Sequence, residues 1–558
     1  MNADGIESSL DVSGQRVSMI SRYMDLVLPQ GTPASYHHPV PIHSLPNEIL
    51  TEILSTAVSA TSPGLGVIDV SQDIITLSHV CSYWHRLADQ DARLWSTILI
   101  RGTTLDDKSR LAKYLRQSCA YPIHIIITPL HILDDDFRGC IVSLQPHMHR
   151  IKRLFVKMNN SWVMENVISR LTNTAPQLAE LTLGLVQPES WVDALATAFD
   201  SRAPYCHIVA STLFGGNTPA LRSLYLSSVS FPSSIVGNLH HLTLDDMFNR
   251  YEAVDELLDV LKKCSELESL TMRYVPVLHP PMEMDPEPPV ARRADEDAVS
   301  LPALRRLVLA GQFVSYVSHF LARVSIPGPT KCAFHMMVNN APVAHLDPGM
   351  FFGTCESTNI FSSLRILEAC VATSGRLVVK GYTTDNLPVM VDSPATVDSE
   401  PAFTLEFLDV NPVATLSCLA PGLTRQPGEP TMHTLIVRGT PLNMSGMRWR
   451  HLLIGKHTGN LRTLRLVEIA AQDAEDFVST LSSPGPCTPP ERELPLLPYL
   501  ATLVIVRPVG GFTELLRDAL EKAVRYLSED GKLETVELVQ EPGVTIDWGS
   551  LLDGDGAS

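Results

Sequence analysis

"LRSLYLSSVSFPSSIVGNLHHLTLDD", residues 221–246, carries one short phrase twice. Leu221, Leu224 and Leu226 return as Leu239, Leu242 and Leu244. The last two leucines of each phrase stand two residues apart, so their side chains share one face of an extended strand. The first stands three residues earlier and anchors the turn that leads in. One copy would mean little, because Leu-rich patterns are common; many copies in one register would define the fold.

The phrase recurs at Leu178-Leu181-Leu183, Leu267-Leu270-Met272, Leu304-Leu307-Leu309, Leu405-Leu408-Val410 and Met432-Leu435-Val437. Leu461-Leu464-Leu466, Leu500-Leu503-Ile505 and Leu533-Val536-Leu538 follow, and Ile151-Leu154-Val156 is a weaker early copy. Helical patterns lie between several copies, such as "AVDELLDVLKKC" at 253–264 and "AEDFVSTLS" at 474–482. A strand plus a helix at a recurring interval is the signature of a solenoid. The copies resemble leucine-rich repeats, which implies an α/β array. Its spacing is uneven: 43 residues separate Leu178 from Leu221, but 18 separate Leu221 from Leu239. The 101 residues from Leu304 to Leu405 are expected to hide one or two degraded repeats, near Leu364-Leu367. The family places Asn or Cys three residues after the last Leu, whereas Val186, Val229, Val275 and Ile469 stand there in this chain. An irregular, loop-decorated solenoid is therefore expected.

Composition limits the function classes. The 558 residues exceed a usual single core, so several domains or one elongated array are expected. Hydrophobic residues make up 45% and charged residues 19%, enough to bury a core over most of the chain. The net charge of -18 repels phosphate backbones, and no basic run exceeds Arg292-Arg293, so nucleic acid is not an expected partner. The polar N-terminus carries no signal-peptide pattern. No apolar run reaches the roughly 18 residues a membrane span needs. The 10 cysteines are scattered without a CxxC pair and read as reduced, core-filling thiols. A cytoplasmic and/or nuclear protein without membrane contact is the expectation. The sequons at Asn159 and Asn443 are then chance matches.

The chain divides into a polar arm at 1–40, a helical segment at 41–100, the repeat region at 101–547, and a tail at 548–558. Three Pro-rich stretches, near 278–302, 383–401 and 482–498, are expected to be disordered insertions, because proline lacks the amide proton that helices and ladders need. They are longer than ordinary connections.

Within the helical segment, "IHSLPNEILTEILS" opens at residue 42. Ser44 is a candidate N-cap and Pro46 suits a first turn. Ile49, Leu50, Ile53, Leu54, Ala57 and Val58 keep helical spacing. A turn-rich insert, "SATSPGLGVIDVSQD", follows at 59–73. A second helix is predicted from Leu77, with Val80, Cys81, Trp84, Leu87 and Ala88 on one stripe, and "DARLWSTILI" adds Leu94 and Trp95. A unit of this size buries little by itself. Its apolar stripe must dock on the following repeats, which periodicity alone favours, or on another protein.

"LPNEILTEIL", an insert, then "LSHVCSYWHRLADQDARLW" resembles an F-box, with Leu45-Pro46, Val80-Cys81, Trp84 and Leu94-Trp95 in order. The next segments, "LAKYLRQSCAYPIHIII" and "LQPHMHRIKRLFV", resemble those that follow the box in large fungal F-box proteins. The insert is longer than in a compact F-box. The resemblance turns the stripe outward. It implies a substrate-recognition subunit of a Skp-cullin-F-box type ubiquitin ligase, with the box on a Skp-family adaptor, cullin reached through it, and a protein substrate held by the repeats. The alternatives are a scaffold acting outside ubiquitination and a repeat protein whose helices cap the solenoid. The implied adaptor-binding residues are Leu45, Pro46, Ile49, Leu50, Ile53, Leu54, Val80, Cys81, Trp84, Leu87, Leu94 and Trp95. Of these, Leu50, Ile53 and Leu87 are the best candidates for a purely internal role, and Trp84 and Trp95 for interface anchors.

No enzyme is expected: the chain has no P-loop, G-x-G-x-x-G, nucleophile elbow or HExxH. No cofactor or metal is expected either. Asp134-Asp135-Asp136 reads as a solvated turn, and His37-His38 and His240-His241 lack a Cys or acid at ligand spacing. Asp245-Asp246 reads as a polar turn that could border a binding rim. Arg222, Arg305-Arg306, Arg462 and Arg465 read as scattered surface charges at strand starts.

Overall fold

Strands form wherever the phrase holds its register. The computed structural model describes residues 45–59, 70–101, 107–128, 135–185, 213–229, 237–245, 254–273, 299–313, 317, 320–321, 323–327, 330–337, 365–372, 376–383, 401–408, 433–439, 461–481, 497, 499–506, 508–529, 533–541 and 544–547. The expected arm and tail, and most of the three expected insertions, lie outside them. The end of the first insertion does not: Val299 and Leu301 are buried, and Val299–Ser300 pairs in parallel with Val324–Ser325.

The fold is mixed α/β, with a small helical region ahead of a large parallel-rich sheet. The helices are α1 (Asn47–Ser59), α2 (Val70–Ser78) and α3 (Ser82–Gln90). The sheet begins at once with β1 (Thr97–Ile100), β2 (Ile123–Ile127) and β3 (Ile151–Met158). It continues with β4 (Glu180–Leu185), β5 (Ser223–Ser227), β6 (His241–Asp245) and β7 (Ser269–Arg273). Each of these strands pairs in parallel with the next. Leu181, Leu224, Leu242 and Leu270 lie in one row across the ladder, all buried. Burying each such side chain contributes roughly 1.5–3 kcal/mol.

Helices between the strands present apolar faces to the same core. Α4 (Asp107–Gln117) packs against β1 and against α5 (Asp135–Leu144); α6 (Ser161–Ile168) packs on β3. In α7 (Val254–Lys263), Leu257, Leu258 and Leu261 are buried while Asp259, Lys262 and Lys263 face water. Toward the C-terminus, α8 (Ala471–Leu481) and α9 (Glu514–Glu529) pack on each other. A single core cluster runs from Leu50 to Leu538, so the helical region shares its interior with the sheet.

The row changes after Leu304. Strands β9 (Arg306–Phe313) and β11 (Lys331–Met337) extend the parallel ladder from β7; the short pair noted above supplies β8 (Val299–Ser300) and β10 (Val324–Ser325) beside it. Next come β12 (Ile366–Ala372), β13 (Arg376–Tyr382) and β14 (Phe403–Leu408), inserted in reverse order. β14 lies parallel to β11; β13 is antiparallel to both β14 and β12; β12 lies parallel to β15 (Thr434–Arg438). Beyond it, β16 (Thr463–Val467), β17 (Thr502–Val506) and β18 (Thr535–Glu541) resume chain order, and β19 (Val544–Asp547) closes the edge antiparallel.

This inversion corrects the reading of residues 304–410. The gap holds β11, β12 and β13, with Leu367 in β12 in register with Leu435. The copy at Leu405-Leu408-Val410 is out of register. Leu405 pairs with Phe334, which pairs with Leu309, so Leu405 occupies the last apolar position of a phrase and not the first. Phe403 and Leu405 are the true pair. The leucine phrase does not mark the strand at Cys332 and Phe334, because neither residue is Leu.

A second regularity lies just past the strands. Ser228, Gly311, Gly439 and Glu468 all have positive φ, of 53°, 66°, 118° and 54°. Each stands two residues after the last apolar residue of its phrase. The left-handed residue turns the chain so that the next residue points inward: Val229 and Ile469 are buried. An apolar residue there thus plugs the core where Asn or Cys was sought.

Candidate functional site

The predicted second helix is two helices. His79 and Val80 close α2 by bonding to the carbonyls of Ile75, Thr76 and Leu77, and α3 restarts at Ser82. Cys81 is the N-cap: its backbone is extended and its sulfur accepts from the Trp84 amide at 3.5 Å. A local side-chain cap competes with continued helix, as it does at other helix starts. The break moves Val80 off the stripe and leaves it 57% exposed. Residues 70–73 of the expected insert are helical, and 60–69 lie outside the described residues.

In α1, Pro46 sits at the N-cap, its carbonyl accepting from the amides of Ile49 and Leu50. Ser44 lies outside the described residues. Leu50 and Leu54 turn inward and are fully buried, while Ile49 and Ile53, one turn apart, are 50% and 41% exposed. On α3, Trp84, Leu87 and Ala88 are buried against Leu50, Leu54 and Ile74 of the common core. Tyr83 donates its hydroxyl to the Asn47 side chain, tying the start of α3 to the start of α1. That bond brings the Val80-Cys81 turn toward the Pro46–Ile49 end.

The twelve residues named from sequence therefore divide. Leu50, Leu54, Trp84, Leu87, Leu94 and Trp95 are buried within this chain. Pro46, Ile49, Ile53 and Val80 are exposed, and Leu45 and Cys81 are intermediate. Ile53, read as a candidate for an internal role, faces outward. Trp95 is 1% exposed, its indole N–H donates to the Ala88 carbonyl, and its ring meets Tyr114 edge-on at 5.0 Å. Lys113 lies over the same ring, 4.8 Å from its centre. Trp84 is 8% exposed, and its buried indole nitrogen has no hydrogen-bond partner among the described residues.

Charge frames this apolar patch. Arg93 bonds to Asp91 at 3.0 Å and reaches Glu52 of α1 at 3.5 Å. Hydrogen bonding to Asp91 and its charge hold the Arg93 guanidinium more firmly protonated than usual. His85 and Asp89 face each other one turn apart at 3.4 Å.

The other sequence candidates resolve individually. Asp135 and Asp136 open α5, where acids suit the helix N-terminus, and Asp135 pairs with Arg138 at 3.0 Å. Asp134 and the His37-His38 pair lie outside the described residues. His240 does meet acids, contrary to expectation: Glu266 and Glu268 lie 3.4 and 3.3 Å away, brought there by the neighbouring strand's lead-in turn. Among the described residues no group of three His, Cys, Asp or Glu side chains is arranged to hold a metal ion. Asp245 lies on β6 and accepts the Tyr225 hydroxyl at 2.9 Å. Arg222 caps loop carbonyls of Pro219, Leu221 and Asn238.

Among the described residues no helix is long and apolar enough to cross a membrane. Residues 42–101 match the family model described as F-box-like. The match ends at β1, so it takes in α1, α2, α3, Leu94 and Trp95. Domains of this kind generally bind Skp-type adaptors and suggest a role in ubiquitin-ligase assemblies. No curated protein matches the chain.

Proposed function

We propose that this chain is the substrate-recognition subunit of a Skp-cullin-F-box type ubiquitin ligase. It docks on a Skp-family adaptor through residues 42–101, reaches cullin through that adaptor, and holds a protein substrate on the sheet region. The F-box-like match carries the reading. The exposed Ile49, Ile53 and Val80 within it support an outward-facing contact, because apolar groups of this size gain most when a partner removes them from water.

The sheet region is read as an irregular leucine-rich-repeat-like solenoid. Support comes from the common register of the phrase through β3–β7 and β15–β18, and from the left-handed residue recurring at one position after the strands. The chain itself performs no chemistry. Tethering raises the effective concentration of a substrate lysine near a charged conjugating enzyme. The complex acts in the cytoplasm or the nucleus.

Co-expression with a Skp-family adaptor tests the docking. The pair should co-purify, and cullin should follow when added. Deletion of residues 42–101 should abolish both and raise the abundance of the bound substrate in cells. Failure to recover adaptor would overturn the reading. Recovery of adaptor with no protein changing in abundance or ubiquitination would leave a scaffold instead.

A further inference from the structure

The sheet has one face in the core and one toward solvent, and the open face differs in charge from the rest of the chain. From β3 to β11 its strand positions carry Arg153, Lys157, Arg273, Arg306 and Lys331 against two acids, Glu180 and Asp245. The chain as a whole is at -18. Both acids are engaged within the face: Glu180 pairs with Arg153 at 2.9 Å, and Asp245 accepts the Tyr225 hydroxyl. Lys157 and Arg306 form no ion pair among the described residues. Instead the Lys157 ammonium lies over Phe155 and Tyr225, 5.3 and 5.8 Å from their ring centres. At one end of the face, burial and the charges of Arg153 and Lys152 hold His124 neutral down to about pH 4.

The strand surface beside Lys157 is closely packed. Gly184 lies between β3 and β5, and a Cβ there would sit 3.3 Å from the Ser227 Cβ. The part-exposed rings of Phe155 and Tyr225 flank the Lys157 side chain, while Gly184 and Ser227 beneath it are buried.

We infer that this face, from β3 to β11, docks an extended acidic segment of a partner protein, its carboxylates held by Lys157 and Arg306. The inference rests on the reading that the sheet region takes a protein partner, and it names that partner's chemistry. Lys157 on β3 and Arg306 on β9 are five strand spacings apart, roughly 24 Å at about 4.8 Å each, and four residues apart along the strands, about 13 Å, so they lie roughly 27 Å from each other. An extended segment of about eight residues spans that distance. An acidic segment meets repulsion over most of this chain and attraction on this face, so charge selects the site as well as the ligand.

The test uses the full chain and fluorescein-labelled peptides followed by anisotropy at low salt. The probes are the twelve-residue repeats (Glu-Ser)6, (Gln-Ser)6 and (Lys-Ser)6. The first should bind at least tenfold more tightly than the others and weaken steeply with salt. Lys157→Glu with Arg306→Glu should lose at least tenfold in that affinity while keeping the thermal transition. Lys262→Glu with Lys263→Glu, on the exposed side of α7, should change it less than twofold. Equal loss in the α7 variant, or no preference for the acidic peptide, overturns the inference. Adaptor capture on the same samples separates the two readings. Adaptor bound with acidic peptide ignored sinks the charge assignment alone. Acidic peptide bound on the face without adaptor sinks the ligase reading alone.

Discussion

The Trp95 indole N–H donates to the Ala88 carbonyl at 2.7 Å, joining the last turn of α3 to the residues just before β1. Trp95 also stands three residues before Ile98, which shares a row with Ile125, Leu154 and Leu181. It therefore holds, for the first strand, the lead-in position that Leu178 and Leu221 hold for later ones. One side chain thus joins the helices of the F-box-like segment to the first strand of the sheet.

That double position predicts a structural role. Trp95→Ala should destabilise the chain by about 3–5 kcal/mol, the usual range for emptying a buried tryptophan site. Trp95→Phe should cost less, but it strands the Ala88 carbonyl without its donor. Denaturant midpoints check both. Unchanged stability with lost adaptor capture in Trp95→Phe would show instead an anchor exposed to the partner.

A second prediction separates surface from interior within the F-box-like segment. Ile49→Asp and Val80→Asp alter exposed positions and should shift stability by no more than about 0.5 kcal/mol. Adaptor affinity should fall at least tenfold in each. Leu50→Asp buries an unpaired carboxylate and should unfold the helical region. Adaptor capture alongside circular dichroism distinguishes these outcomes; full capture by Ile49→Asp would remove that residue from the interface.

Sequence made the strand array legible where its signal was period two with leucine, as at Leu224-Leu226 and Leu242-Leu244. It failed at Cys332 and Phe334, where other apolar residues fill the same row, and at Leu405, where a leucine run offered a false register. The inversion of β12–β14 depends on which strands pair, a long-range choice that local periodicity does not encode. In the F-box-like segment, spacing found the inward stripe of Trp84, Leu87 and Ala88 but read through the break at Cys81. A thiol N-cap carries little sequence signal, so periodicity alone assigns Val80 to a stripe that it leaves. Trp95 points inward because of Ala88 and Tyr114, one a neighbour along the chain and the other nineteen residues on.

Arg150 predicts a third outcome. Its buried guanidinium donates to the Leu115 carbonyl at 2.8 Å, the Tyr121 carbonyl at 3.2 Å and the Ser118 hydroxyl at 3.0 Å. These acceptors are at the C-terminal end of α4, where a positive charge also interacts favourably with the negative end of the helix dipole. Burial lowers its pKa from the ordinary value, which for arginine leaves the charge intact at neutral pH. Arg150→Met should cost about 2–4 kcal/mol, from lost charge-assisted bonds and orphaned carbonyls. Arg150→Lys should recover only part, because an ammonium lacks the planar fork. A neutral Arg150→Met in urea unfolding would contradict this.

His124 gives a pH dependence. Burial, then the charges of Arg153 and Lys152, lower its pKa to about 4 from an unfolded value near 6.5. The folded state thus binds fewer protons than the unfolded one. The associated stability is complete above pH 6.5 and drains away as pH falls toward 4. Partial solvent access limits the loss to the order of 1–3 kcal/mol. His124→Gln should flatten that part of the stability profile, and the imidazole resonances of His124 should not titrate above pH 5. A midpoint near 6.5 in that titration would refute the assignment.

The recurring left-handed residue supports the last prediction. Gly439 and Gly311 take it without a Cβ penalty, and Gly311 does so at a bulge, where Ala310 pairs with His335 and Gln312 with Met336. Gly439→Ala should therefore cost about 1–2 kcal/mol. Ser228 and Glu468 hold the same position with side chains. Replacing Glu468 by Gly relieves that strain but adds about 0.5–1 kcal/mol of backbone entropy to the unfolded state. The net change should be small and of opposite sign to that of Gly439→Ala. Denaturant midpoints for the pair read the turn directly: equal losses at Gly439 and Glu468 would mean that the two residues do not share one backbone role.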